Sequence, residues 1–527
     1  MKIVCAGQFL TEGLRQAGQT VIPLALREDA DLNALIETAC PGPDWVLLEV
    51  WGRTALPRHL AACRHRLAVF CIDTPLNAFW LRPLLQLCDA AFVDQRASVA
   101  ALARAGITAH WLPLCVQESD FRAPVPPEQF LTFVGRVTPH RRKRANLLRL
   151  LQHHTPVQVV QDVSRSRMQD LFARSRVVLN ENLFSGLTLR VLQGLAAGSL
   201  VLTEAGGDGV DAHFADGVHL VCYGPDTLLP RLADIRARPE YYQAVARAGQ
   251  AACRQGHTSA VRAREFLDIL ASGRAGNPRR NDAVRQLAEA KAKYRHCLRF
   301  GGSLAAPMQL FGQAAGAAGT VSQEASFFLG HLFARQGDTA RAGPFLAHAA
   351  RHKGMHGFLA SATQALIALE TEGPDAAAAL LEAGQAALPR RCRRYDFHGA
   401  ATAPVPGAAL LVGAARLLLA LGRDFEPGFF RQEDDRYPDT AFGYAVLAWQ
   451  AMPSQAALDI MLTCARRTGI EPEILPILKR AIGLGLATDA QIATAADLAW
   501  RAYDPETARD IASALARRLS SKTPPSA

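Results

Sequence analysis

Asn182, Ser185, Gly186 and Thr188 crowd the eight positions that follow an apolar run ending in Asn180. Residues 189–197 then read as a short helix, and Gly198 stands where a helix takes a left-handed cap. A second strand starts at Leu200 and stops at Glu204 and Gly206, so residues 177–208 form one βαβ unit. Its polar loop and helix N-terminus lie at the carboxyl edge of a parallel sheet. Open α/β sheets bind ligands at that edge, and free N–H groups at a helix N-terminus attract anions. The unit is suited to the phosphates of a nucleotide-activated substrate. Asp73 offers a different chemistry. It follows a strand directly in FCIDTP, where a carboxylate faces the cleft of many α/β proteins; capping the turn before Pro75 accounts for it equally well. Gln8, Glu49 and Asn77 are further polar residues at strand ends, whereas His59 and His65 read as surface residues of a helical stretch.

Those residues need a scaffold, and the chain supplies more than one. Its 527 residues exceed a single core, and 49% hydrophobic with 20% charged residues describes a globular protein. Short apolar strands are expected at 2–6, 20–24, 44–50, 68–72, 90–93 and 109–112, separated by helical segments. That alternation implies a parallel, doubly wound sheet. The first turn carries Gly7, but Gly7 and Gly13 miss the spacing of a dinucleotide-binding fingerprint. Prolines 124, 126 and 127 mark a linker, after which strands at 131–134, 157–160, 177–180, 200–202 and 218–223 build a second α/β half.

The formal charge of +10 comes mainly from dispersed Arg, which argues against a nucleic-acid-binding face. The one basic cluster, residues 140–144, is suited to meet phosphate. Eleven scattered Cys without a CxxC pair or His/Cys ligand spacing predict free, mostly buried thiols and no zinc site. With no signal peptide and no apolar run long enough for a bilayer, the chain reads as soluble and cytoplasmic.

Four ordered blocks carry a resemblance: FVGRVTPHRR, GLTLRVLQGLAAGSLVLTE, DGVHLVCYGPDTLLPRL and HTSAVRAREFL. Their sequence resembles the donor half of GT-B glycosyltransferases of the CgeB-like branch, and FCIDTP, CDAAFVDQ and HWLPL extend the likeness through about residue 272. The resemblance implies two Rossmann-like halves, an acceptor-side half at 1–122 and a nucleotide-sugar half at 128–272, with no cofactor and no obligatory metal. It implies diphosphate contacts from Arg136 and Arg141, and places Arg190 in the loop-helix block with Asn182 and Thr188. Gly7 joins the donor set, and Gln193 stands where the family has a ribose-binding Glu. Arg136 and Arg190 lie just beyond strand ends, from which they can converge on one phosphate pair; surface salt bridges are their other reading. The two Glu that retaining enzymes of the class carry eight residues apart are Ser185 and Gln193 here, and Glu204 is a substitute carboxylate.

From residue 281 to 520 strands vanish and Ala/Leu-rich helices follow one another. Residues 323–354 place Leu329, Gly330, Phe333, Gly337, Ala342, Leu346 and Ala349 at the offsets of a tetratricopeptide repeat, and a looser copy spans 359–387. This resembles a TPR-like α-solenoid, which either docks a polypeptide or glycan acceptor or serves as a stabilising appendage. The whole reads as α/β followed by all-α: a glycosyltransferase using a nucleotide sugar, or a non-catalytic nucleotide-sugar-binding adaptor that recruits partners through its repeats.

Overall fold

The computed structural model describes residues 1–28, 30–138, 141–182, 186–273, 281–390, 395–426, 436–469 and 471–521. Ser185, His140, the linker at 274–280, the acidic turn at 433–435 and the tail from 522 lie outside the described residues. The chain packs as two compact units. One comprises 1–75, 88–279 and 496–527; the other comprises 76–87 and 280–495.

The first unit holds two open parallel sheets. Strands β1 (Lys2–Ala6), β2 (Thr20–Pro23), β3 (Trp45–Val50), β4 (Leu67–Cys71), β5 (Ala90–Val93) and β6 (His110–Trp111) lie in the order β2-β1-β3-β4-β5-β6. Strands β7 (Gln129–Val134), β8 (Val157–Val160), β9 (Ser175–Asn180), β10 (Leu200–Glu204) and β11 (Val221–Tyr223) lie in the order β11-β10-β9-β7-β8. All pairings are parallel. β3, β4 and β5 are buried at every position, as a central strand covered on both faces must be, and this explains their apolar runs, broken only by Glu49 in β3. Helices α1 (Thr11–Gln16), α2 (Leu32–Ala39), α3 (Thr74–Leu85) and α4 (Arg96–Arg104) connect the first sheet. Helices α5 (Arg142–His154), α6 (Arg165–Ala173), α7 (Leu189–Ala196), α8 (Leu228–Ala237), α9 (Pro239–Gly256) and α10 (Ser259–Ala271) accompany the second. Two Rossmann-like halves result.

Several local expectations change. The segment around His59 and His65 is a series of turns rather than a helix: Arg58 is bridged to Asp31, His59 takes a φ of 65°, and its Nδ1 lies 2.6 Å from Asp31 Oδ2. The strand expected at 218–223 begins only at Val221, because Asp216 and Leu220 close a bridge beforehand. The turn expected at Thr74-Pro75 opens a twelve-residue helix, α3. Its start is capped from the neighbouring strand: Asp94 accepts hydrogen bonds from the backbone N–H groups of Asp73 (2.8 Å) and Thr74 (3.1 Å) and from the Thr74 hydroxyl (2.7 Å). From Leu76 onward α3 belongs to the second unit.

The second unit is helical: α11 (Asp282–Phe300), α12 (Ala305–Ala315), α13 (Thr320–Arg335), α14 (Thr339–Ala350), α15 (Met355–Thr371), α16 (Pro374–Ala386), α17 (Phe397–Ala401), α18 (Pro406–Ala420), α19 (Ala441–Ala451), α20 (Gln455–Thr468), α21 (Leu475–Gly483) and most of α22 (Asp489–Arg501). The expected 323–354 unit is the α13–α14 pair, and a Cβ on Gly330 would stand 2.7 Å from Leu346 Cγ, so only glycine lets these helices meet. The last helix, α23 (Pro505–Ser520), falls in the first unit, not with the other helices of the C-terminal region. The cause is Tyr503, buried in the core of the second sheet. The ten described cysteines are all free, and among the described residues no helix is long and apolar enough to cross a membrane.

Candidate functional site: an arginine cluster between two sheet edges

β7 ends at Val134, and Gly135 turns the chain with a φ of 155°. Arg190, in the first turn of α7, reaches back to that turn. Its Nε donates to the Val134 carbonyl (2.9 Å), its Nη1 donates to Asn180 Oδ1 (3.1 Å), and the guanidinium lies 4.6 Å from the Phe133 ring centre. A Cβ at Gly135 would stand 2.5 Å from Arg190 Nη2, so glycine is required there. Arg144, on α5, is 3% exposed and meets the same Phe133 ring at 5.2 Å. Its Nη2 and Nε bind Glu181 Oε2 at 2.7 and 2.9 Å, and its Nη1 donates to the Arg136 carbonyl at 2.8 Å.

Arg141 completes the cluster. Burial, then the nearby Arg144, lower its pKa. Burial, Arg144 and Arg141 bring Arg190 down to about 10, which leaves it charged at neutral pH. Glu181 is spent on Arg144, and among the described residues neither Arg141 nor Arg190 has a carboxylate at ion-pair distance. The edge carries uncompensated positive charge inside protein, where a charge without a counterion is costly.

Around it the loop is held by amides. Asn180 is fully buried; its Nδ2 donates to Asn182 Oδ1 (2.7 Å) and Thr203 Oγ1 (2.9 Å), and its Oδ1 accepts from Thr188 Oγ1 (2.9 Å) as well as Arg190. Asn182 and Thr188 thus hold the loop that presents Arg190. Gln193 is buried one turn further along α7. Glu204, a candidate carboxylate, is engaged by Lys143 Nζ (2.6 Å), the Tyr503 hydroxyl (3.1 Å) and the Asn182 N–H (3.2 Å). The Arg136 side chain is 77% exposed and pairs with Asp162 at 3.2 Å, so its carbonyl rather than its guanidinium meets the cluster.

The first half faces this edge. Gly7 is required because a Cβ would overlap the Glu49 carboxylate. Glu49 accepts from the N–H groups of Gln8 (2.6 Å), Phe9 (2.7 Å) and Leu10 (2.8 Å), so the anion seat at the first turn is filled from within the chain. Asp73 is held at a left-handed φ of 54° at the end of β4. Displacement of water by surrounding protein, then the neighbouring Asp94 carboxylate, raise its pKa to about 6, while Arg141 across the cleft pulls it down. Gln95 Nε2 bridges Asp94 Oδ2 (3.0 Å) and the Leu187 carbonyl (3.3 Å), and the Ala97 N–H donates to Asp208 Oδ2 (2.5 Å). The carboxyl edges of the two sheets therefore meet through the loops of the βαβ unit. The sequence marked Arg144 only as part of the basic cluster at 140–144 and gave no role to Glu181, Asp94 or Gln95; Arg141, at the N-cap of α5, and Arg144, in its first turn, are three positions apart, the one signal that brings two of the cluster together.

The HT-x-x-x-R block resolves into a structural clasp. Arg262 Nη2 donates to His257 Nδ1 (2.8 Å), and Val116 N–H donates to the His257 carbonyl (3.0 Å), tying the entry of α10 to the end of the first half.

Two parallel halves with opposed carboxyl edges are the plan of a GT-B fold. Residues 128–268 match a family described as glycosyl transferase-like, and this stretch contains Arg141, Arg144, Glu181 and Arg190. No curated protein matches the chain by sequence. Among solved structures the chain is similar to sucrose-phosphate synthase from Thermosynechococcus elongatus (12% identity, TM-score 0.41, 52% of this chain and 98% of that one). It is also similar to HepE from Anabaena in complex with UDP-glucose (13% identity, TM-score 0.39, 52% and 100%).

Proposed function

We propose that the protein is a glycosyltransferase that binds a nucleotide sugar at the arginine cluster and moves the sugar to a protein or surface-glycan hydroxyl. The observation that carries this reading is the charge imbalance: three Arg converge at the carboxyl edge of the second half, and among the described residues only Arg144 has a carboxylate, Glu181, at ion-pair distance. A nucleoside diphosphate supplies the missing negative charge. In the transfer the bond from the sugar C1 to the diphosphate oxygen breaks, and the nucleoside diphosphate leaves with the bonding pair. Arg190 and Arg141 stabilise that charge, which gives the reaction its electrostatic help without an obligatory metal. The acceptor hydroxyl oxygen bonds to C1 and its proton passes to Asp73, whose raised pKa suits a base near neutral pH. The helix pairs of the second unit, read as TPR-like, are the proposed dock for a macromolecular acceptor, and the reading is of a cytoplasmic enzyme.

A second reading, a nucleotide-sugar-binding adaptor without turnover, is favoured by one observation: Gln193 is neutral and buried where a carboxylate is usual. Release of nucleoside diphosphate from UDP-, GDP- and dTDP-sugars, with and without acceptor, separates the two. Turnover with any of them supports the enzyme; tight binding with no turnover supports the adaptor; no binding removes both.

A further inference from the structure

Trp51 is the most exposed large hydrophobic residue described, at 60%. It directly follows β3, between β1 and β4 in the sheet order. Its backbone is fixed: the Trp51 N–H donates to Thr54 Oγ1 (2.9 Å), and the Trp51 carbonyl accepts from the Thr54 hydroxyl (2.7 Å) and N–H (2.9 Å) around Gly52, at a φ of 40°. The indole is held out by a closed turn. Three other side chains share this part of the edge: Gln8 and Arg53 are exposed, and Asp73 reaches solvent although surrounding protein displaces much of its water. Val50 pairs with Cys71, so Trp51 stands opposite Ile72 and one residue short of Asp73. On the other side Ala6 pairs with Leu48, which brings Gln8 just past the same edge, and Arg53 belongs to the Trp51 turn.

One flat apolar ring among an amide, a guanidinium and a carboxylate fits a particular occupant. A protein or membrane contact needs a contiguous apolar patch, and among the described residues no other exposed large hydrophobic residue directly follows a strand of this sheet. A sugar ring has an apolar C–H face that stacks on indole and a rim of hydroxyls that pair with planar polar groups. We infer that Trp51, with Gln8, Arg53 and Asp73, forms a carbohydrate-binding platform that seats the acceptor as a sugar ring beside the proposed base. This rests on the transferase reading and narrows its acceptor to a glycan.

The test uses the full chain, UDP, and three probes: methyl β-D-glucoside, methyl β-D-galactoside and methyl α-D-mannoside. Glycoside binding is titrated by calorimetry in the wild type, Trp51→Phe and Trp51→Ala, with UDP affinity measured in the same way. The expected result is saturable binding of at least one glycoside, at least tenfold weaker binding in Trp51→Ala, near wild-type binding in Trp51→Phe, and unchanged UDP affinity in both. Equal glycoside affinity in Trp51→Ala, no glycoside binding by a chain that binds UDP, or Trp51-dependent binding of phosphatidylglycerol vesicles alone would each overturn the platform while leaving the donor reading intact. Glycoside binding through Trp51 by a chain that does not bind UDP supports the platform and removes the donor reading.

Discussion

At the scale of single residues, charge balance separates structure from function. The second unit buries Arg295 and Arg423 with Glu426 and Asp439; Arg423 Nη1 lies 2.5 Å from Glu426 and Nη2 2.7 Å from Asp439, while Arg295 bonds both carboxylates. Two cations answer two anions, and that network is a staple. In the first unit Arg144 pairs with Glu181, and among the described residues Arg141 and Arg190 have no carboxylate at ion-pair distance. Arg190→Ala should therefore weaken UDP binding about 30-fold, ~2 kcal/mol for a lost charge-assisted hydrogen bond. Calorimetry on variant and wild type checks this, and equal affinity removes Arg190 from the site. Asp73 carries a second prediction. A base must be deprotonated, and its pKa of about 6 means that kcat/KM should rise from pH 5 to 7 with a midpoint near 6. In Asp73→Asn the rate should fall by about 10²–10⁴ and the acid limb should disappear; a limb that survives assigns it to another group. Arg190 was legible from sequence because its βαβ setting is local. Arg144 and Glu181 were not, because their ion pair joins residues 37 positions apart. Arg136 was legible in position but not in orientation: it stands beyond β7, yet its guanidinium turns outward to Asp162.

At the scale of elements, two close contacts knit the first unit. A Cβ on Gly13 of α1 would overlap the Ser259 carbonyl at the start of α10, and backbone cannot rotate away as a side chain can. Gly13→Ala should cost about 1–3 kcal/mol, read as a lower urea midpoint with an unchanged slope; a midpoint equal to wild type means the helices part freely. Beside this contact His257 is buried, and burial, then the adjacent Arg262 and His213, lower its pKa to about 3. Its folded pKa lies below the ordinary 6.5, so the folded state favours neutral imidazole. Its contribution is complete above pH 6.5 and is lost as pH falls toward 3, by about 1.4 kcal/mol per unit. Between pH 7 and 5 the wild type should lose ~2 kcal/mol more stability than His257→Asn, whose side-chain oxygen can still accept from Arg262; parallel pH profiles would exclude this role. The strands were readable because buried parallel strands are unbroken apolar runs. α3 was not, since Thr74-Pro75 reads as a turn and the cap that makes it a helix start comes from Asp94, twenty residues later. Pro at the first turn of a helix is compatible with either reading.

At the scale of the whole molecule, the order of the chain and the order of its packing differ. Composition marks residue 281 as the start of the helical region, yet the second unit also takes residues 76–87, and the first unit takes back 496–527. Apolar residues report that a helix is to be buried, but not which core receives it, and no position of residues 76–87 is exposed. In the second unit the borrowed segment is central: Trp80 is fully buried, its indole meets the His296 ring edge-on at 5.0 Å, and its Nε1 donates to Asn77 Oδ1 at 3.1 Å. Removing a buried Trp costs about 3–5 kcal/mol, comparable with the whole stability of many domains. A fragment of residues 281–495, cut where composition suggests, therefore lacks part of its own core. It should melt at low temperature and with poor cooperativity, exposing the face of α11 that bears His296. A peptide of residues 76–87 added in trans should bind it, shift the peptide's tryptophan emission to the blue and raise the melting temperature; a Trp80→Ala peptide should not raise it. A fragment that melts sharply and ignores the peptide would show that the helical unit stands without α3. Rescue by the peptide would establish that the helix beginning beside Asp73 is a structural member of the helical unit.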